Sequence, residues 1–165
     1  MRFYRAEKYQ AYCEELFIRY KGEIQKLLPD ARIEHIGSSS IPAAVSKGDL
    51  DIFVGVKADM LDDAVKLLTT LGFQEKIDTL RTSALCMLES TSGDDVAFQI
   101  VVNGSAFECF LVFRDELREN ISLVQQYNEL KISCEGWSQE EYRRKKLDFI
   151  EHVLALASQS THEGI

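Results

Sequence analysis

The stretch that decides the fold is residues 32–56, RIEHIGSSSIPAAVSKGDLDIFVGV. Its first residues alternate and predict a short strand, the small residues that follow predict a turn or loop, and DLDIFVGV predicts a second strand. Successive side chains of a strand point to opposite faces of the sheet, so Asp49 and Asp51 share one face and Ile52 lies on the other. Two carboxylates are therefore expected side by side.

A Gly-Ser pair, Gly37 and Ser38, lies upstream of these acids with ten residues between. Gly37 allows the backbone to approach a phosphate closely, and Ser38 offers a hydroxyl and an N–H to phosphate oxygens. Two carboxylates on one face can hold Mg²⁺, a hard cation that prefers oxygen ligands and often shares its shell with substrate phosphates. The spacing predicts a nucleoside triphosphate (NTP) site with Mg²⁺, or Mn²⁺, as cofactor.

An ordinary structural interpretation of the same residues stays open. Short motifs of this kind match by chance, and the pattern also describes a turn followed by a half-exposed strand with two solvated acids. Aspartate is poorly suited to strands, however, and two of them in one predicted strand call for a reason. A functional site supplies that reason.

Composition narrows the class of protein. The 165 residues carry 19 Lys+Arg against 27 Asp+Glu, a net charge of −8, so binding to nucleic acid backbones as the main activity is not expected. No apolar run approaches the roughly 18 residues of a membrane span, and the start lacks a signal-peptide core. We expect a cytoplasmic protein without membrane or nucleic acid partners, whose four widely spaced cysteines are reduced and mostly buried.

The rest of the chain alternates helix and strand patterns before becoming helical from about residue 105. Asp59, Asn120, Ser105 with Glu108, and Ser138 with Glu141 are predicted helix caps. The predicted helices are 5–28, 60–71, 106–118, 121–133 and 139–157, and the further strands are 73–77, 83–89 and 96–102. This order predicts an α/β fold, a mixed β-sheet flanked by helices with a C-terminal helical segment. We expect one domain over residues 1–157 and a frayed tail over 158–165.

The arrangement of Gly-Ser and Asp-hydrophobic-Asp resembles the polymerase β-like nucleotidyltransferase superfamily. Over a longer stretch, EHIGSSSIPAAVSKGDLDIFV (34–54) resembles the hallmark block of the GrpB family, also called UPF0157. Further similar segments are FQIVVNGS (98–105), FRDELR (113–118), YNELK (127–131) and Tyr142 with Lys146 and Phe149-Ile150. The resemblance covers most of residues 30–150 and implies a nucleotidyltransferase-like fold.

The resemblance also implies roles for individual residues. Ser38 would be a phosphate ligand, and Asp49 and Asp51 would be the catalytic and metal-binding acids. His35, Ser39, Pro42 and Lys47 would shape the loop. The full set of predicted nucleotide-binding residues is Gly37, Ser38, Ser39, Lys47, Arg114, Arg118, Lys131 and Lys146.

Ordinary structural roles stay open for several of these residues. His35 is also typical of a histidine that only forms structural hydrogen bonds. Arg114 and Arg118 have the spacing of surface pairs on a helix, and Lys131 and Lys146 that of solvated lysines with packed stems.

One departure from the superfamily pattern leads to two alternative functional hypotheses. A third carboxylate is expected from a later strand, where this chain has Gln99; Asp94, Asp95 or Asp115 could take its place. With a third acid, the chain would transfer a nucleotidyl group to an unknown acceptor, a small molecule or a protein hydroxyl. Without it, the chain would be a non-catalytic nucleotide-binding or partner-binding module.

Overall fold

The computed structural model describes residues 2–163, with side chains to residue 159. The elements alternate as the sequence pattern predicts, and three short 3₁₀ turns join them. The helices are α1 (Ala6–Leu27), α2 (Leu61–Thr69), α3 (Cys109–Glu119), α4 (Ile121–Ser133) and α5 (Gln139–Glu163). The strands are β1 (Arg32–Ile36), β2 (Leu50–Val56), β3 (Phe73–Glu75), β4 (Leu85–Ser90) and β5 (Val96–Val102). The 3₁₀ turns are Ser38–Ser40, Ala58–Met60 and Ala106–Glu108.

The five strands form one mixed sheet in the order β1-β2-β5-β4-β3. The central pair β2–β5 is parallel, and the other pairs are antiparallel. Asp51 lies opposite Ile36 of β1 and Ala97 of β5, and Phe53 lies opposite Gln99. The predicted α/β class, with helices flanking a mixed sheet and a helical C-terminal segment, is confirmed.

The two faces of the sheet pack differently. On one face, α1 and α2 cover an apolar core that includes Ile52, Phe98 and Ile100. The helix α1 contributes a stripe spaced three to four residues apart, as a helix buried on one side requires: Tyr9, Cys13, Leu16, Tyr20 and Ile24. On the other face, Phe53 packs in a smaller cluster, and α3, α4 and α5 lie on this side. Asp49 and Asp51 belong to this second face.

Most predicted boundaries hold, and two predicted caps were wrong. Asp59 lies within a 3₁₀ turn, and α2 begins after Met60 without a side-chain cap. The Ser105 hydroxyl is buried without a hydrogen-bond partner, and Glu108 instead accepts a hydrogen bond from the Gly104 N–H. In both places a 3₁₀ turn precedes the α-helix, which moves the cap away from the predicted residue.

The other two caps are confirmed. The Asn120 side chain accepts hydrogen bonds from the N–H groups of Ser122 and Leu123, and Ser138 and Glu141 exchange the two hydrogen bonds of a capping box.

The C-terminal helix extends beyond its predicted end at residue 157. It is helical to Glu163, so most of the predicted frayed tail is helix, and residues 164–165 lie outside the described part of the chain.

The four cysteines are free thiols, three of them buried. Within residues 2–163, no helix combines the length and the apolar character needed to cross a bilayer.

Candidate functional site

The Gly-Ser turn lies directly against the acid pair. Gly37 follows β1 directly and has a φ of +74°, a conformation that favours glycine. A Cβ atom on this residue would lie 2.5 Å from Oδ2 of Asp51, so any side chain here would collide with the carboxylate. The turn that carries Ser38 is therefore held beside Asp51, as the spacing predicted.

The two acids share one face, and their charges oppose each other. Ser46 donates a hydrogen bond from its hydroxyl to Oδ1 of Asp49 at 3.2 Å, and the same hydroxyl accepts one from the Gly48 N–H at 3.0 Å. Burial, and after it the charge of Asp49, raises the pKa of Asp51. The charges of Lys146 and Lys76 act in the opposite direction without cancelling this effect.

A cavity of about 330 Å³ opens above the acids. Gly37, Ser38, Asp49 and Asp51 form part of its wall, and α3 and α5 contribute apolar side chains such as Phe110, Phe113 and Ile150. Although the chain as a whole carries a net negative charge, basic side chains outnumber acidic ones in the cavity wall. The basic residues are Lys47, Lys76, Lys131, Arg143 and Lys146. Such a lining favours a ligand with several negative charges.

Two of these cations were missed by sequence reasoning. Arg143 lies in the basic run 143–146, whose composition alone is typical of a solvated helix face. In the structure, Arg143 and Lys146 line the cavity, and Arg144 and Lys145 line a separate groove beside Trp137. Because residues three apart lie on the same side of a helix, this division was available from the spacing. Lys76 follows β3 and carries no signal in the sequence.

Lys131 of α4 is the most unusual of the cations. It is only 1% exposed, yet its Nζ has no carboxylate partner within salt-bridge distance among the described residues. Nζ donates hydrogen bonds to Oγ of Ser38 and, at 2.7 Å, to the Val45 carbonyl, and it lies 3.9 Å from the centre of the Tyr127 ring. Burial, and after it the charge of Lys146, lowers the pKa of Lys131 well below its usual value. A buried amine of this kind favours an anion beside Ser38.

The loop between β1 and β2 is fixed by side chains of two helices. From α1, the Tyr9 hydroxyl donates to the Ala44 carbonyl at 2.7 Å, and Gln10 donates to the Ile41 carbonyl at 2.8 Å. From α4, Asn128 accepts from the Val45 N–H and donates to the Ala43 carbonyl, each at 2.9 Å. The loop is thus pre-formed, which reduces the ordering cost of binding a ligand there.

His35 and Ser39 lie behind the loop and do not line the cavity. His35 Nε2 and Ser39 Oγ are 2.8 Å apart, both residues are buried, and the imidazole stacks on Phe17 of α1. Burial lowers the pKa of His35 to about 4, so the ring is neutral at physiological pH. These contacts give His35 a structural role and place Ser39 away from a ligand in the cavity.

Arg114 and Arg118 also lie outside the cavity lining. Arg114 forms ion pairs with Glu34 at 2.8 Å and Asp115 at 2.9 Å, and it donates to the His35 carbonyl. Arg118 donates to the Ser40 carbonyl at 2.9 Å. Both guanidinium groups hold β1 and the loop from the side of α3, so of the predicted nucleotide-binding cations only Lys47, Lys131 and Lys146 line the cavity.

Comparison with known proteins identifies the family of this chain. The model of the family described as GrpB protein matches residues 5–156. The chain belongs to the GrpB family. A UPF0157 protein of Vibrio cholerae is 69% identical over 157 residues, covering 95% of this chain and 84% of that one. The crystal structure of the conserved protein GrpB from Enterococcus faecalis superposes with a TM-score of 0.80 at 22% identity, covering 97% of this chain and 99% of that one.

The fold of this GrpB-family chain is nucleotidyltransferase-like. Terminal uridylyl transferase 4 from Trypanosoma brucei with bound dUTP has a TM-score of 0.58 at 15% identity, covering 93% of this chain and 55% of that one. This likeness concerns the fold alone. It confirms the nucleotidyltransferase-like fold that the resemblance implied.

Gln99 occupies the position where the superfamily pattern expects an acid. It lies one strand from Asp51 on the same face, lines the cavity, and its Oε1 is buried without a hydrogen-bond partner. Among residues 2–159, whose side chains the structure describes, no group of three or more His, Cys, Asp or Glu side chains could hold a metal ion.

The proposed substitutes for the third acid are engaged elsewhere or lie outside the cavity lining. Asp94 accepts hydrogen bonds from Arg19 and Tyr20 of α1, and Asp115 pairs with Arg114. Asp95 does not line the cavity. Partial burial of its carboxyl, and after it the charge of Asp49, raises its pKa. Of the described acidic side chains, only Asp49 and Asp51 line the cavity, and Gln99 adds an amide oxygen on the same face of the sheet.

Proposed function

We propose that this GrpB-family chain binds an NTP together with Mg²⁺ or Mn²⁺ in the cavity above Asp49 and Asp51. The observation that carries the proposal is the close approach of Gly37 to Asp51, because it joins a turn suited to phosphate with a pair of carboxylates suited to a divalent cation. The cationic lining of the cavity supports the same ligand class.

The residues present fit a divalent cation. Mg²⁺ is usually bound through one or two carboxylates, with phosphate and water oxygens completing its shell. Asp49 and Asp51 supply the carboxylates, and Gln99 Oε1, buried without a partner, supplies a neutral oxygen on the same face. A bound cation would neutralise charge on the phosphates. It would also offset the burial and the repulsion by Asp49 that together raise the pKa of Asp51.

The triphosphate would be held by the turn and the surrounding amines. Ser38 offers its hydroxyl, and Lys131 lies against that hydroxyl from the protein interior. Lys47 and Lys146 also line the cavity, each with Nζ about 6 Å from the centre of the Tyr142 ring. These charges would offset those of the phosphates in a partly enclosed site, where electrostatic interactions are stronger than in water.

Nucleotidyl transfer would proceed by attack of an acceptor oxygen on the α-phosphorus with departure of pyrophosphate. This chain would contribute by positioning the triphosphate and offsetting its charge. A second candidate function, nucleotide binding without transfer, is favoured by Gln99, since an amide replaces the expected third acid. Both candidates share the NTP site and differ only in the chemistry that follows binding.

Thermal denaturation tests the shared step. The melting temperature would be measured with ATP, GTP, CTP and UTP, each with and without Mg²⁺. A ligand at a hundredfold excess over its dissociation constant stabilises the native state by about 2.7 kcal/mol, a rise of roughly 6 °C for a chain of this size. We expect such a rise for at least one NTP, only in the presence of Mg²⁺.

Two double variants make the test specific. Replacing Asp49→Asn and Asp51→Asn should abolish the rise. Replacing Asp62→Asn and Asp63→Asn, two exposed acids of α2, changes the net charge equally and should leave it intact. A rise that survives in the first variant, or no rise with any NTP, would refute the proposed function.

A further inference from the structure

The chemistry available to an acceptor depends on which cavity residues can take up a proton. An alcohol keeps its proton at neutral pH, so transfer to a hydroxyl group needs a base within hydrogen-bonding distance of it, about 2.6–3.2 Å. Each ionisable side chain that lines the cavity is therefore a candidate base. The described residues of this kind fall into three groups.

The first group consists of residues already committed to other contacts. Asp49 and Asp51 would hold the cation under the proposed function. Lys131 is 1% exposed and is enclosed by Ser38 Oγ, the Val45 carbonyl and the Tyr127 ring. Its Nζ is held by these contacts behind the Ser38 hydroxyl.

The second group keeps its own protons. Burial raises the pKa of the Cys109 thiol and of the Tyr127 and Tyr142 hydroxyls, so these side chains are neutral acids at physiological pH. The third group is cationic and offers only donors: Lys47, Lys76, Arg143 and Lys146.

Gln99 decides the chemistry at the remaining position. It pairs with Phe53 on one side and Met87 on the other, which fixes its backbone in the middle of the sheet beside the strand of Asp51. Its amide cannot act as a base, but it offers N–H donors as well as an acceptor oxygen. A carboxylate at the same position would repel an anion, whereas the amide does not.

We infer that the acceptor for this site attacks through an oxygen that is already anionic, that of a phosphate monoester or a carboxylate. The inference rests on the proposed NTP site and names the acceptor class for it. The anionic oxygen forms a bond to the α-phosphorus, the bond from that phosphorus to the β-phosphate oxygen breaks, and pyrophosphate leaves with the electron pair. No proton is transferred, so no base is required. Cationic side chains in excess of the two acids favour such a second anion.

Binding of the second anion is the first test. Protein saturated with Mg²⁺ and the α,β-methylene analogue of the best NTP would be titrated calorimetrically with glucose 1-phosphate, acetate and glycerol. We expect glucose 1-phosphate or acetate to bind and glycerol not to bind. Gln99→Glu should weaken binding of that anion at least tenfold, because it places a negative charge at the position of the amide.

Control variants separate charge from structure. Gln125→Glu adds the same charge at an exposed position of α4 and should bind the anion like the parent. Gln99→Met keeps the position neutral and tests whether the amide donor itself contributes. If Gln99→Glu lowers the melting temperature of the unliganded protein, Gln99→Asp provides the same charge with a shorter side chain.

Transfer is the second test, with α-phosphate-labelled NTP and the same three acceptors. We expect label in a nucleoside diphosphate sugar or in an acyl nucleotide, and none in glycerol; the two products distinguish phosphate from carboxylate. Gln99→Glu or Gln99→Asp should gain transfer to glycerol, since either supplies a base. The inference is overturned if the parent protein labels glycerol at least as fast as the anions, or if no anion binds or is labelled while Mg²⁺-dependent NTP stabilisation persists. Loss of that stabilisation would instead refute the proposed function.

Discussion

The two faces of the sheet use the same strands for opposite purposes. Toward α1 and α2, β2 and β5 present only apolar side chains, such as Ile52 and Phe98, both fully buried. Toward α3–α5, the same strands present Asp51 and Gln99, one with a raised pKa and the other with an unpartnered oxygen. One face is optimised for packing, and the other keeps polar groups that are unfavourable in the unliganded protein. Such a difference within one sheet is evidence for a ligand.

The largest expected effect concerns the apolar face. Phe98→Ala removes a ring that stacks on Phe73 with centroids 4.0 Å apart, in a position with no exposure to solvent. Creating this cavity should lower the free energy of unfolding by about 4 kcal/mol, as measured by urea denaturation. Phe110→Ala, in the wall of the cavity, should cost only about 1 kcal/mol by the same principle because its ring is partly exposed. Equal losses would contradict the division between the two faces.

The next effect is a pH dependence that originates on the apolar face. His35 stacks on Phe17, and burial lowers its pKa to about 4, against about 6.5 in the unfolded chain. As the pH falls, the unfolded chain takes up this proton first. The His35 contribution to stability is therefore complete above about pH 6.5 and is lost between that value and about pH 4.

A variant isolates this contribution. His35→Gln can keep a hydrogen bond to Ser39 without titrating. The parent should lose about 3 kcal/mol more than this variant between pH 7 and pH 4, at about 1.4 kcal/mol per pKa unit. The measurement is the free energy of unfolding across that range, and parallel profiles for the two proteins would show that His35 is not the titrating group.

A smaller effect of opposite sign is expected on the polar face. Asp51→Asn removes a carboxylate whose pKa is raised by burial and by Asp49, so it should stabilise the unliganded protein by about 1 kcal/mol at pH 8. Because a raised pKa lowers stability only where the group is charged, this gain should shrink as the pH falls through the pKa of Asp51.

Asp94→Asn provides the control for that prediction. Asp94 accepts hydrogen bonds from Arg19 and Tyr20, so its replacement should be neutral or destabilising. Thermal denaturation without divalent cations would measure both variants. A less stable Asp51→Asn protein would mean that this carboxylate has a structural role, and the contrast between the faces would fail.

Sequence reasoning predicted the regular parts of the fold well. The alternation predicted for residues 49–56 put Asp49 and Asp51 on one side, although β2 itself begins at Leu50. The predicted bounds of β5 and α4 match the structure. These predictions depend on periodicity, which is a local property. The conformation of Gly37 beside Asp51 followed from the residue types in the same local stretch.

The remaining errors involve contacts distant in sequence. Arg114 and Lys131 are both basic residues of predicted helices. The packing of α3 pairs Arg114 with Glu34 of β1, whereas the packing of α4 brings Lys131 to Ser38 in the loop. The position of Lys76 in the cavity wall depends likewise on the path of the chain after β3. No local pattern encodes these placements.

The most direct measurement of the central claim is the position of Mn²⁺ in crystals grown with MnCl₂ and the α,β-methylene analogue of the stabilising NTP. Anomalous scattering locates the ion independently of the surrounding chain. The account predicts an anomalous peak coordinated by Asp49 and Asp51, with the triphosphate against the Gly37-Ser38 turn. An ion or a nucleotide bound elsewhere at saturating concentration, with the acid pair unliganded, would contradict it.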